Sequence, residues 1–320
     1  MKLIRNLEAA DRPPEGCAVT IGVFDGVHRG HLAVMRQVRE LADQRGLRTS
    51  LITFDRHPAA IVHPGSAPKL LTTLEQRIEL LDATGLLDYC CVLTFDEARR
   101  KETADEFVRE ILVDRMHARV VVVGADFHFG FKRQGNVALL SELGGELGFE
   151  VVGLELVRID TDPALEGTNV YSSTLIRALV ASGNVGAASR LLGRPHTVRG
   201  TVVVGDRRGR LLGFPTANVS VPEETCLPAD GIYAGTLVDG KGVERAAAIS
   251  LGLRPTFHDD QLSSLLEAHV LDFEGDLYGQ TAEVRFVARL RGEERFSSPD
   301  DLVAQIHRDV EATREALKQQ

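Results

Sequence analysis

The feature that most constrains this chain is a change of rhythm close to Gly183. Before it, short apolar runs ("AVTIGVF", "RTSLITF", "LDYCCVLTF", "RVVVVG" and "EVVGLELV") alternate with stretches of helical period at about 31–44, 74–84, 104–116 and 137–147. In the first of these stretches Leu32, Met35, Val38 and Leu41 form one apolar stripe. Apolar strands that alternate with helices predict βαβ units, that is, a parallel sheet covered on both faces. In such sheets ligands bind at the carboxyl ends of the strands. After Gly183 "NVGAASRLLGRP" predicts one short helix ending at Gly193-Arg194-Pro195, and the strands beyond it have no helices between them. "TVRGTVVVG", "IYAGTLVD" with "RAAAISLG" across Gly240-Lys241-Gly242, and "LLEAHVLDF" with "AEVRFVARL" predict antiparallel hairpins. The end, "SSPDDLVAQIHRDVEATREAL", predicts an amphipathic helix that starts at Ser298 and Pro299. The expected organisation is α/β over residues 1–184, a linking helix and turn over 185–195, and a small antiparallel β-barrel with a terminal helix over 196–320. A chain of 320 residues has room for two domains of roughly 150 residues each.

Composition narrows the function. A net charge of −9 disfavours non-specific nucleic-acid binding, although Arg207, Arg208 and Arg210 can receive a phosphate locally. The opening "MKLIRNLEAADRPPEG" lacks the long apolar run of a signal peptide, and no run approaches the ~20 residues of a membrane helix. Cys17, Cys90, Cys91 and Cys226 show no metal-site spacing, and the adjacent pair lies in an apolar run, as buried thiols do. The expectation is a cytoplasmic protein without nucleic-acid or membrane partners, a monomer or weak homo-oligomer.

Neither G-x-x-x-x-G-K-[ST] nor G-x-G-x-x-G occurs, so the usual P-loop and the dinucleotide fingerprint are excluded. What stands at the first strand-to-helix turn is His28-Arg29-Gly30-His31. A helix N-terminus offers backbone N–H groups and partial positive charge to an anion, Gly30 permits close approach, and imidazoles can bond phosphate oxygens. "FDRHP" ends the next strand and sets Asp55 and His57 at the ligand-facing edge. "GADFHFGFKRQG" follows a later strand and carries Asp126, Lys132 and Arg133. In "SSTLIR" Ser172 or Ser173 can cap a new helix with Arg177 facing phosphate. "GDRRGRLLGFPTANVSV", residues 205–221, is dense in Gly, Arg and Pro, whose ordinary reading is a solvated loop. A glutamate in a strand, such as Glu267, ordinarily faces solvent.

Taken together the motifs resemble a known family. "GVFDGVHRGH" resembles the signature of the H-x-G-H nucleotidyltransferases. "TFDRHP", "VVGADFHFGFKRQGN" and "YSSTLIR" follow in the order seen in bacterial FAD synthetases, and "GDRRGRLLGFPTANVSV" resembles the riboflavin kinase signature. "ISLGLRPTF", "LLEAHVLDFEGDLYGQ" and "RGEERF" continue that second pattern, so the resemblance covers almost the whole chain. It implies a Rossmann-like FMN adenylyltransferase domain over 1–184 and a riboflavin kinase barrel over 196–320. The implied chemistry is ATP-dependent phosphorylation of riboflavin to FMN, then adenylylation of FMN to FAD with release of pyrophosphate.

By resemblance, His28 and His31 serve adenylyl transfer and Glu267 is the kinase base. Gly22, Phe24, Asp25, Gly30, Ser173, Thr174, Arg177, Gly205, Arg210, Gly213 and Pro215 meet ATP or its phosphates. Asp55, His57, Asp126, Phe127, Arg133, Arg291 and Phe296 meet flavin, and Thr216 and Asn218 hold Mg²⁺, whose preference is for oxygen donors. The implied partners are small molecules: riboflavin, FMN and ATP. Two positions depart from the pattern: Ser250 stands where many members carry Asn, and Tyr171 replaces a small aliphatic residue. Two other readings compete. An adenylyltransferase for a pantetheine phosphate with an unrelated barrel is opposed by P-T-A-N together with Glu267. A flavin-binding protein on a decayed scaffold is opposed by the intact His28, His31, Thr216, Asn218 and Glu267.

Overall fold

The computed structural model describes residues 1–5, 13, 15–155, 170–205, 209, 212–255 and 262–319. These form two compact units: Met1–Pro68 with Leu74–Ser172, and Lys69–Thr73 with Ser173–Gln320.

The first unit is built on a six-stranded sheet. Its strands are β1 (Lys2–Arg5), β2 (Cys17–Ile21), β3 (Arg48–Phe54), β4 (Tyr89–Leu93), β5 (Ala118–Gly124) and, after a two-residue pair formed by β6 (His128–Phe129) and β7 (Gly135–Asn136), β8 (Glu150–Leu154). The order is β1-β4-β3-β2-β5-β8 and every pairing is parallel. All five residues of β2 are buried, as are Val120 to Val123 of β5. Burial on both faces is why these strands read as continuous apolar runs rather than as alternation. The edge strand β1 is the one strand of the sheet that the apolar pattern does not predict, because only Ile4 of its four residues is buried.

Helices α1 (Arg29–Arg45), α2 (Leu74–Ala83) and α3 (Val137–Leu147) fall where periodicity places them, and Ala104–Phe107 runs on as Val108–Arg115. From β2 the chain moves outward to β3 and β4, then returns to β5 on the other side of β2. The topological switch point therefore lies between β2 and β5. The loops leaving their carboxyl ends, residues 22–28 and 125–136, flank the crevice where such sheets take ligands.

The second unit holds α4 (Ser173–Ala181), α5 (Val185–Leu192), a barrel and α6 (Pro299–Lys318). The barrel strands are β9 (His196–Val203), β10 (Ala217–Ser220), β11 (Gly231–Val238), β12 (Glu244–Pro255), β13 (Leu262–Val270) and β14 (Thr281–Arg291). They close in the order β10-β13-β12-β11-β14-β9, with β9 paired to β10 and every pairing antiparallel. The β11–β12 hairpin forms across Gly240–Gly242 as the turn residues predict, with the Asp239 carboxylate accepting from Lys241 N at 2.9 Å and Val243 N at 3.0 Å. Helix α6 starts as predicted, its Ser298 hydroxyl accepting from Asp301 N at 3.1 Å.

One expectation is corrected, and one ordinary reading is set aside. "LLEAHVLDF" and "AEVRFVARL" are not hairpin partners: β13 lies between β12 and β10, and β14 between β11 and β9. The Gly/Arg/Pro-rich stretch is not wholly a loop, since its Ala217–Ser220 is a strand of the barrel wall. One physical cause underlies both. A closed barrel gives each strand two neighbours and leaves no exposed edge, and β10 is the short strand that closes the gap between β13 and β9.

Burial pushes the Cys17 and Cys90 thiols up to about 12 and raises that of Cys91 as well. Because the thiolate is the nucleophile, all four buried cysteines are expected to resist a thiol reagent at pH 8 in the native protein. Titration in denaturant should recover four reactive thiols.

Candidate active sites

At the β2–α1 junction the two histidines bond to each other's backbone. His28 is the N-cap of α1: its Nδ1 accepts from His31 N, and His31 Nδ1 accepts from His28 N, both at 3.3 Å. Imidazoles thus take the places of the Ser and Glu of an ordinary capping box, satisfying two N–H groups that a helix start leaves open. The rings stack at 3.6 Å between centroids with planes 18° apart, and Phe24 packs against His31 at 4.8 Å. An Nδ1 that accepts carries no proton, so the neutral ring has its N–H on Nε2. A Cβ on Gly30 would stand 2.8 Å from the Tyr171 Cβ and 3.1 Å from His28 Nδ1, so glycine is required for this close approach. The unusual Tyr171 therefore packs at the entry of α1. The loop before the helix is tightly wound: Phe24 and Val27 have left-handed φ of 53° and 40°, and Phe24, Asp25 and Val27 are all buried.

Two further motifs lie at the same strand ends. Asp55 follows β3, and its Oδ1 accepts from Phe95 N at 2.9 Å; His57 Nδ1 accepts from Ala59 N at 3.1 Å. In the loop after β5, Asp126 is exposed, Phe127 stacks on Phe129 at 5.4 Å, and Arg133 is exposed with φ of 59°. Ser173, Thr174 and Arg177 belong to the second unit, where they lie in the first turns of α4 and Arg177 Nε donates to Lys69 O at 2.7 Å.

On the barrel, register assembles a second site. Asn218 of β10 is directly paired with Glu267 of β13, which is in turn paired with Ser250 of β12. Their neighbours Ala217, Val219, Leu266 and Ala268 fill the barrel core, so Asn218, Glu267 and Ser250 form one row across three strands on the outer face. Cβ atoms of such directly opposed residues lie about 4.5–5.5 Å apart. A Cβ on Gly205 would fall 2.4 Å from the Asn218 amide nitrogen, so the Gly205 backbone closes over that side chain. A cavity of about 570 Å³ is lined by Gly205, Pro215, Thr216, Asn218, Phe273 and Tyr278 among others. Glu267 is not in that lining; it stands next to Asn218 across the strand pair. His269 Nδ1 donates to Pro215 O at 2.9 Å, and Phe214 meets His269 and His307 of α6 edge-on at 5.3 and 5.0 Å. Gly213 is exposed with φ of 89°. Arg207, Arg208 and Arg210 lie outside the described residues. Arg291 makes a two-pronged pair with Asp309 of α6, at 3.0 and 2.7 Å, beside the Phe296 ring.

Sequence reasoning missed Arg77, which is 1% exposed beneath the first of these sites. The signal was present: Leu74, Arg77 and Leu81 share one face of α2, so a charge occupies a core position.

Residues 10–165 match the family model described as FAD synthetase, and residues 192–317 match the one described as riboflavin kinase. Proteins named bifunctional riboflavin kinase/FMN adenylyltransferase are similar along their whole length. That of Haemophilus influenzae is 37% identical over 314 residues, 98% of both chains. That of Escherichia coli K12 is 37% identical over 317 residues, 98% of this chain and 97% of the other. A solved Streptococcus pneumoniae chain described as a macrolide-efflux protein superposes with a TM-score of 0.84 at 30% identity, covering 98% of this chain and 99% of that one. Among the described residues, no helix is long and apolar enough to cross a membrane.

The reciprocal cap makes a spectroscopic prediction. In protein with ¹⁵N-labelled histidine at pH 8, His28 and His31 are both expected to show an acceptor-type Nδ1 and a protonated Nε2. A protonated Nδ1 on either ring contradicts the cap.

Proposed function

This chain belongs to the bifunctional riboflavin kinase/FMN adenylyltransferase family, and we propose that its two chemistries are divided between the row on the barrel and the histidine pair at α1. The protein phosphorylates riboflavin to FMN with ATP, then joins FMN to the adenylyl group of a second ATP to give FAD and pyrophosphate.

In the first step Glu267 takes the proton of the ribityl 5′-hydroxyl. The hydroxyl oxygen bonds to the γ-phosphorus of ATP, and ADP leaves. The register of Asn218 with Glu267 carries this reading, because it sets the P-T-A-N segment beside a carboxylate far away in the sequence. Thr216 and Asn218 offer neutral oxygens at the cavity wall, and Gly205 leaves room for the Asn218 amide, a donor set that fits Mg²⁺ with ATP phosphates supplying the charge. When bound there, Mg²⁺ would offset negative charge on the transferring phosphates. The outer-face hydroxyl of Ser250 would help orient the Glu267 carboxylate.

In the second step a phosphate oxygen of FMN attacks the α-phosphorus of ATP, and pyrophosphate departs. No side chain need become a nucleophile. His28 and His31 donate Nε2–H to the phosphate oxygens as charge builds on them, and the positive end of α1 adds to the field. Gly22, Phe24, Asp25 and Gly30 shape the seat of the phosphates. Asp55, His57, Asp126, Phe127 and Arg133 take the flavin at the strand ends. Arg291 and Phe296 border riboflavin at the barrel, Arg291 being oriented by Asp309.

With riboflavin, ATP and Mg²⁺, His31→Ala is expected to accumulate FMN and make no FAD. Glu267→Gln should lower FMN formation by roughly 10²–10⁴-fold yet convert supplied FMN to FAD at the normal rate. Separation of the flavins by chromatography reads both. Loss of both activities in either variant, with folding intact, contradicts the division into two sites.

A further inference from the structure

We infer that Arg77 is a positioning residue for adenylyl transfer: a buried guanidinium that holds the Gly22–His28 turn, and through it the stacked histidines, in working geometry. The inference rests on the assignment of adenylyl transfer to that turn.

The side chain comes from α2 and is fully enclosed. Its Nη1 donates to Val23 O at 2.6 Å, to Thr53 Oγ1 at 2.9 Å and to Phe54 O at 3.3 Å. Thr53 Oγ1 also donates to Val23 O, at 3.0 Å. The Val23 carbonyl is thus held from two elements, α2 and the end of β3. The very next residue is Phe24, whose φ of 53° is costly for an aromatic side chain and which packs against His31. A continuous path therefore runs from Arg77 through the Val23 carbonyl and Phe24 to the His31 ring.

The group is poorly suited to be there for stability alone. Among the described residues its buried Nε has no hydrogen-bond partner, and burial pushes the guanidinium pKa down against the pull of Asp25, itself buried, and of Asp55. Packing alone does not call for a charge here, since whole buried ion pairs replaced by apolar side chains are often neutral or stabilising. What an apolar side chain cannot do is grip a strand-end carbonyl. Asp25 and Asp55 stand at the two loops assigned to ATP and flavin, so the same cation joins both halves of the proposed seat from below.

The test uses the full chain, with its kinase activity as internal reference. Arg77→Met is expected to lower kcat for FAD formation from supplied FMN by roughly 10- to 100-fold, the scale of a small misplacement of catalytic groups. KM for FMN and for ATP should move less than about threefold, because the contacts to substrate are retained. FMN formation should be unchanged. Arg77→Lys, which keeps a donor toward Val23, should recover part of kcat. Thr53→Val, which removes the second donor to Val23 while preserving volume, should show the same kcat loss in smaller measure even if Arg77→Met does not fold. Normal kcat in Thr53→Val, or in a folded Arg77→Met, overturns the inference. His31→Ala is run alongside: if it abolishes FAD formation while the Arg77 and Thr53 variants are normal, only the role of Arg77 fails. If His31→Ala is itself normal, the site assignment fails and the inference with it.

Discussion

Backbone N–H and C=O groups that lose water must find partners, and in this protein the partners they find are what build the sites. In the sheet, the strands satisfy one another in parallel, which gathers their carboxyl ends, and the motif loops that leave them, along one edge. At the start of α1 two open N–H groups are taken by imidazole Nδ1 atoms, which fixes both rings and turns their Nε2 atoms into donors. Beneath them the strand-end carbonyls of Val23 and Phe54 are taken by Arg77. In the barrel, closure requires β10, and β10 carries Asn218 to the side of Glu267.

Much of this was legible in the chain. Continuous apolar runs announced buried parallel strands because β2 and β5 are covered on both faces. Turn residues at Gly240–Gly242 and the Ser298-Pro299 start announced a hairpin and a helix because those signals act over a few residues. The failures in the barrel share one cause. Barrel neighbours are set by closure over long distances, so β13 and β14, adjacent in sequence, part company, and β10 hides in a segment whose composition reads as loop. The strand β1 buries a single side chain and leaves no periodic trace. At the sites, residue types were readable and their bonding was not. His28 and His31 looked like two phosphate ligands, and nothing in their spacing says that each caps the other. Arg77 was visible only as a charge on an apolar face.

In the proposed division the two sites solve different chemical problems with different materials. Activating a hydroxyl calls for a base, and the barrel supplies a carboxylate beside neutral oxygen donors. Joining two phosphate-bearing substrates calls for stabilising negative charge without contributing a nucleophile, and the α1 turn supplies N–H donors and a helix end. In the proposed steps the buried thiols and the core arginine make no bonds to the reacting groups.

The two steps take the two phosphates of FAD from different ATP positions. Tracing them is the most direct test of that division, with riboflavin and ATP labelled separately at the γ- and α-phosphates. Label from the γ-phosphate should appear in FMN and persist in FAD, while label from the α-phosphate should appear in FAD and never in FMN. Label from the α-phosphate in FMN, or FAD carrying none from the γ-phosphate, would contradict it.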